Sequence, residues 1–178
     1  MARLEPLSPP YDPAIAEALA QMPAELALFR TVAHNPRVLS RWRGGGLLDK
    51  GSVSLRQREL VILRTTARLG AEYEWGVHVA FFAGKAGFTA DEVIATVHGD
   101  AAAWPAADEA LLVALTDALV DTATVDDGLW TRAAAVFTPA QLIEITALVG
   151  FYHLVSFTVN VTGVAREPGA PGFPPPAI

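Results

Sequence analysis

Ser54-Leu55-Arg56-Gln57-Arg58-Glu59-Leu60-Val61-Ile62-Leu63-Arg64-Thr65-Thr66-Ala67-Arg68-Leu69-Gly70 is the stretch on which the fold turns. Ser54 followed three residues later by Gln57 is a capping-box pattern. Helix formers run on to Leu69, and Gly70 closes the helix. On that helix Glu59 shares a side with Leu55, Ile62 and Leu63. A carboxylate among apolar residues is partly desolvated, so its charge is costly unless a cation or hydrogen-bond donors compensate. The alternative is a boundary glutamate that snorkels to solvent or pairs with Arg56 or Arg58.

The next helix is expected over Tyr73 to Ala86, ending near Gly87. Glu74 and His78 lie four apart and so share one face. Trp75, Phe81 and Phe82 line or border it. A histidine in an apolar setting beside a carboxylate can be poised near neutral pH. The carboxylate can also fix its tautomer, as an orienting group does for a catalytic base. A core histidine satisfied by a neighbouring glutamate fits the pattern equally well. His34 and His98 sit near helix ends, where capping or exposure is usual. His153 lies inside an apolar helix near Thr146, Gly150 and Phe157, either as a hydrogen-bonded core residue or lining a pocket. No His-Glu-x-x-His or paired-His spacing supports a metal site. Gly44 to Gly46 lack the flanking strand and the Lys-Ser/Thr of a phosphate loop.

Further helix signals punctuate the chain. Asp12-Pro13 opens one helix; Pro23 to Ala33 forms another, broken at Asn35-Pro36, with a short helix to Trp42. Thr89 to Glu92 and Thr138 to Gln141 match the capping box. Helices are also expected from Pro105 to about Val120 and from about Asp126 to Val136. No alternating apolar run is bounded by turns, so strands are not expected and the fold class is all-α. Two long helices start with similar caps and end in aromatic-rich segments, which suggests two loosely similar helical lobes. A single domain spans residues 1–165. The tail from Glu167 to Ile178 has five prolines and two glycines; it is either disordered or an extended arm.

The 178 residues carry a net charge of −6, and 52% are hydrophobic. No Lys/Arg cluster stands out, which argues against nucleic acid and anionic membranes as partners. There is no cysteine, so disulfides, thiolate chemistry and Cys-ligated zinc are excluded. Met1 to Pro13 has no apolar signal-peptide core, and a cytoplasmic location is expected. Ile145 to Ala165 lacks Asp, Glu, Lys and Arg and is long enough to span a bilayer. Its Thr, Ser, Asn and His residues and its lack of basic flanks favour a helix buried in a core or subunit interface.

Residues Ser54 to Arg64, then Glu72-Tyr73-Glu74-Trp75, then His78, resemble the signature of the carboxymuconolactone decarboxylase and alkylhydroperoxidase-D-like family. The Phe29 to Pro36 stretch and Ala86-Gly87-Phe88 match too, so the resemblance covers roughly residues 10–165. It implies an all-helical homo-oligomer, a trimer or hexamer. The family's peroxidase branch uses a Cys-x-x-Cys pair, whose positions correspond here to Ala71 and Glu74. With both thiols absent, thiol peroxidase chemistry is not expected. The decarboxylase branch works without metal or organic cofactor. The resemblance thus implies a cofactor-independent lyase or isomerase acting on a small carboxylated or lactone-like substrate. Glu59, Glu74 and His78 would be catalytic, with His78 as the acid/base. Tyr73 would donate a phenolic hydrogen bond into the pocket, or simply pack. Arg64 would hold a substrate carboxylate, or pair with Glu59 or another acid. The competing expectation is a non-catalytic small-molecule-binding or structural oligomer with the same fold.

Overall fold

The computed structural model describes residues 2–175. Among the described residues nine α-helices run in the order α1 (Pro13–Ala20), α2 (Ala27–Val32), α3 (Pro36–Trp42), α4 (Leu55–Arg68), α5 (Glu72–His78), α6 (Ala90–His98), α7 (Ala107–Thr122), α8 (Asp127–Val136) and α9 (Pro139–Thr162). There is no strand among the described residues. Capping explains the starts. Ser54, Thr89 and Thr138 each form reciprocal boxes with Gln57, Glu92 and Gln141. Asn35 does not merely break the chain: its side chain accepts from the Val38 N–H and caps α3.

Helix α4 is the hub. It packs on α5, α6, α7 and α9, and buries nine of its residues, from Arg58 to Thr66. The two helices with the matching caps, α4 and α9, lie directly against each other. Leu60, Ile62, Leu112, Leu148 and Tyr152 join the core between these helices. Gly70, at φ 65°, turns the chain from α4 into α5 in a conformation side chains disfavour. Arg56 ties α4 to its neighbours: it meets Glu92 of α6 at 2.6 Å and Glu109 of α7 at 2.5 Å, over the Phe88 ring.

After His78 the helix widens. Val79–Ala83 forms a π-helical turn, which shifts the angular register of the residues that follow. Phe81 and Phe82 are carried onto the side of the helix that holds Glu74 and His78, and line a pocket with them.

The chain after α9 is an ordered strap. Glu167 accepts hydrogen bonds from the Tyr73 hydroxyl at 2.6 Å and from the Ala27 N–H. Tyr73 in turn accepts from the Leu28 N–H at 3.1 Å. Phe173 stacks edge-on against Trp75, and its N–H donates to Glu72 at 2.9 Å. A side chain at Gly76 would collide with the Pro171 carbonyl, so glycine is what lets the strap close down on α5. Residues 176–178 of the tail lie outside the described residues. The strap also explains a shortened helix. The sequence predicts a helix from Pro23, yet α2 begins at Ala27, after an extended Leu26 without a local side-chain cap. The cap comes instead from Glu167. Glu167→Ala should lower stability by about 1–3 kcal/mol, as for loss of hydrogen bonds to a charged group. Urea unfolding monitored by circular dichroism reads this directly; an unchanged midpoint refutes the latch.

Candidate functional site

Glu59, on the fully buried side of α4, is 0% exposed; Glu74 and His78, on α5, are 7% and 3% exposed. The structure brings all three together. Glu59 Oε2 lies 2.7 Å from His78 Nδ1, and Glu74 Oε1 lies 3.4 Å from His78 Nε2. The imidazole therefore sits between two carboxylates, one from each helix. Arg58 completes the cluster. Its guanidinium reaches Glu59 Oε1 at 2.8 and 2.9 Å and donates to the Leu48 carbonyl at 2.7 Å. The His78 ring is framed by Tyr152 at 5.1 Å, edge-on, and by Phe82 at 5.3 Å.

Burial is the largest influence on His78 and opposes its charge. The Glu59 hydrogen bond and the Glu74 contact together outweigh it and push the pKa up to about 9. The imidazole is then protonated at neutral pH, hydrogen-bonded through Nδ1 to Glu59 and with Nε2 3.4 Å from Glu74. Tyr152 is held well above the usual phenol range, first by burial and then by the charges of Glu74 and Glu59. Its hydroxyl therefore stays protonated.

Glu74 and His78 line a pocket of about 760 Å³, within the usual size of small-molecule sites. Its walls are largely aromatic and aliphatic: Phe29, Trp42, Phe81, Phe82, Phe151 and Tyr152 contribute rings. Arg43 and Asp49 are its further charged members. Glu59 does not line it and stands behind His78. Among the described residues, no group donates to Glu74 Oε2 and no group accepts from the Trp42 indole N–H. No cluster of three or more His, Cys, Asp or Glu among those residues is placed to hold a metal ion.

Three sequence-predicted contacts fall elsewhere. Tyr73 is buried, and its hydroxyl is used by the Glu167 latch and the Leu28 N–H, away from the pocket. Arg64 forms a bidentate pair with Asp117 at 2.6 and 2.8 Å and donates to the Thr96 and Gly99 carbonyls. Each guanidinium nitrogen is occupied, so Arg64 ties α4 to α6 and α7 and holds no ligand. His153 bonds its own helix at the Val149 carbonyl and stacks on Phe157, off the pocket. The residue that enters the site from α9 is its neighbour, Tyr152. The helical phase carried that signal, because Ile145, Leu148, Tyr152, Val155 and Val159 repeat at three, four and seven residues. Nothing in the sequence marks Trp42 and the Gln21–Ala24 turn, which only tertiary packing brings to the pocket.

This is a carboxymuconolactone decarboxylase/alkylhydroperoxidase-D-like helical fold with a cysteine-free acid–base cluster in its pocket. Residues 36–116, the segment holding Glu59, Glu74 and His78, match the model described as "Carboxymuconolactone decarboxylase family". Two solved structures of the debrominase Bmp8 share the fold. A Cys-to-Ala variant in complex with 2,3,4-tribromopyrrole aligns with a TM-score of 0.69 at 16% identity, covering 92% of this chain and 91% of that one. The apo form aligns at 0.71 and 15%, with the same coverage. No curated protein matches the chain.

Proposed function

We propose that the protein is a cofactor-independent lyase or isomerase that moves protons on a small lactone-like or carboxylated substrate. The observation that carries this reading is the histidine held between two carboxylates on the wall of an aromatic pocket. A proton given up by the substrate passes into this cluster and is returned to a different atom. The buried Glu59–Arg58 pair behind the imidazole holds its orientation and its charge. The Bmp8 complex supports the reading only in that a protein of the same fold binds a small ring compound. An apolar stripe along α9, including exposed Ile143, Leu154, Phe157 and Val161, supports a homo-oligomer that covers it. Helix α9 is also long and apolar enough to cross a membrane by length and composition, but 39% of its most apolar window is buried within the chain.

The test is proton exchange. Carboxylated γ-lactones incubated in D2O with the protein should gain deuterium beside the carbonyl, or lose CO2, both readable by NMR. His78→Ala should slow this by about a hundredfold or more, as for loss of a general acid/base. Circular dichroism should show the variant still folded. Equal rates with the wild type and with His78→Ala would remove the cluster from the chemistry.

A further inference from the structure

We infer that the inner end of the pocket takes an uncharged planar ring bearing an N–H or O–H donor, and that Glu74 accepts its hydrogen bond. This rests on the reading that the pocket is a small-molecule site. The argument begins with what the cluster has already spent. Both nitrogens of His78 face carboxylates. The Arg58 guanidinium is engaged by Glu59 and the Leu48 carbonyl. Glu59 is fully buried and accepts from Arg58 and His78. Within the cluster, Glu74 is the carboxylate that lines the pocket and is not fully engaged: its Oε1 meets only His78, at 3.4 Å, and its buried Oε2 accepts from no described group. A buried acceptor left in that state is costly, and a ligand donor removes the cost.

Charge then narrows the ligand. Arg58 and protonated His78 balance Glu59 and Glu74, so the cluster is neutral as it stands. A carboxylate placed beside Glu74 adds an unbalanced anion, and an ammonium adds an unbalanced cation. Either is expensive away from water. A neutral donor such as an enol, a phenol or a pyrrole-type N–H satisfies the oxygen without changing the charge. The walls choose the rest, because Phe82, Tyr152, Phe151 and Trp42 offer faces and edges to a flat ring. Where a substrate also carries a carboxylate, that group belongs at Arg43, outside the balanced cluster. Glu74 then receives the donor group, with His78 beside it on the same wall.

Four probes separate the possibilities: phenol, anisole, benzoate and benzylamine, each titrated by ligand-observed NMR at pH 7. Phenol should bind about tenfold or more tightly than anisole, and more tightly than either charged probe. Glu74→Ala should bring phenol and anisole to within about twofold, and Glu74→Gln, which keeps the shape, should cut the preference at least threefold. Ala24→Trp, on the pocket wall, should weaken every probe. If phenol and anisole bind equally and Ala24→Trp displaces both, the donor assignment fails and the small-molecule pocket stands. Benzylamine binding best overturns the charge-balance argument, and a phenol preference that survives both Glu74 variants overturns the choice of Glu74. If no probe binds, the pocket reading fails and takes this inference with it.

Discussion

Glu59→Ala is expected to cost about 3–5 kcal/mol of folding stability, the largest effect of any single substitution considered for this chain. Glu59 has no solvent exposure and serves two cations at once, Arg58 and His78. Removing it strands a guanidinium that is itself nearly buried and deprives the imidazolium of its closer counter-ion. His78 can shed its charge by releasing a proton, but Arg58 cannot. The Arg58 penalty is therefore paid in full, and a cavity the size of the lost side chain adds to it. Glu59→Gln should cost less, because it keeps the volume and one acceptor. Urea unfolding gives both values; a loss below about 1 kcal/mol for Glu59→Ala would show that Arg58 finds another partner or water.

Raising the pH should destabilise the protein over a defined window. The folded-state pKa of His78, about 9, lies above the ordinary histidine value of 6.5. A raised pKa means the folded state holds its proton more tightly than the unfolded chain does. The stabilisation is therefore fully present below about 6.5 and is lost as pH rises through about 9. Its size follows from the gap and is on the order of 3 kcal/mol. The groups that face the ring are Glu59 from α4, Glu74 from its own helix and Tyr152 from α9. Tyr152 stays neutral throughout this window, so it does not mask the transition. Midpoints of urea unfolding taken between pH 6 and 10 should fall along this curve in the wild type. The fall should flatten in His78→Ala. A wild-type curve as flat as that of the variant would mean that the imidazole is neutral in the folded protein.

The helices were legible because their signals are local. Capping boxes at Ser54, Thr89 and Thr138 and stops at Gly70 and Gly87 need only neighbouring residues. Glu59, Glu74 and His78 were legible as a group because the family pattern fixes their spacing and α4 packs on α5. Their division of labour was not, because it depends on distances across helices. Arg64 and Tyr73 illustrate the limit. Both are polar residues on site-bearing helices, and their distant partners, Asp117 and Glu167, claim them for structure. The sequence allows His153 to be either a hydrogen-bonded core residue or a pocket-lining one; its ring bonds its own helix, and Tyr152 lines the pocket instead. The start of α2 was misplaced because its cap comes from the far end of the described chain.

The strap has a bearing on how the protein is made. The Ala27 N–H that opens α2 waits for Glu167, 140 residues later. Helices α4, α5 and α7 can assemble from contacts between segments close in sequence, and N-terminal parts of a chain generally fold first during synthesis. The wall formed by Leu26, Leu28 and Phe29 has no such freedom, because its anchor has not yet been translated. A chain that has emerged through α9 but not yet through Glu167 thus holds a nearly complete bundle whose pocket lacks its α2 anchor. Released chains truncated just before Glu167 and just after the strap should differ little in helical content and sharply in protease protection around residues 21–29. The pocket wall at α2 is therefore completed only after every helix from α1 to α9 has been made.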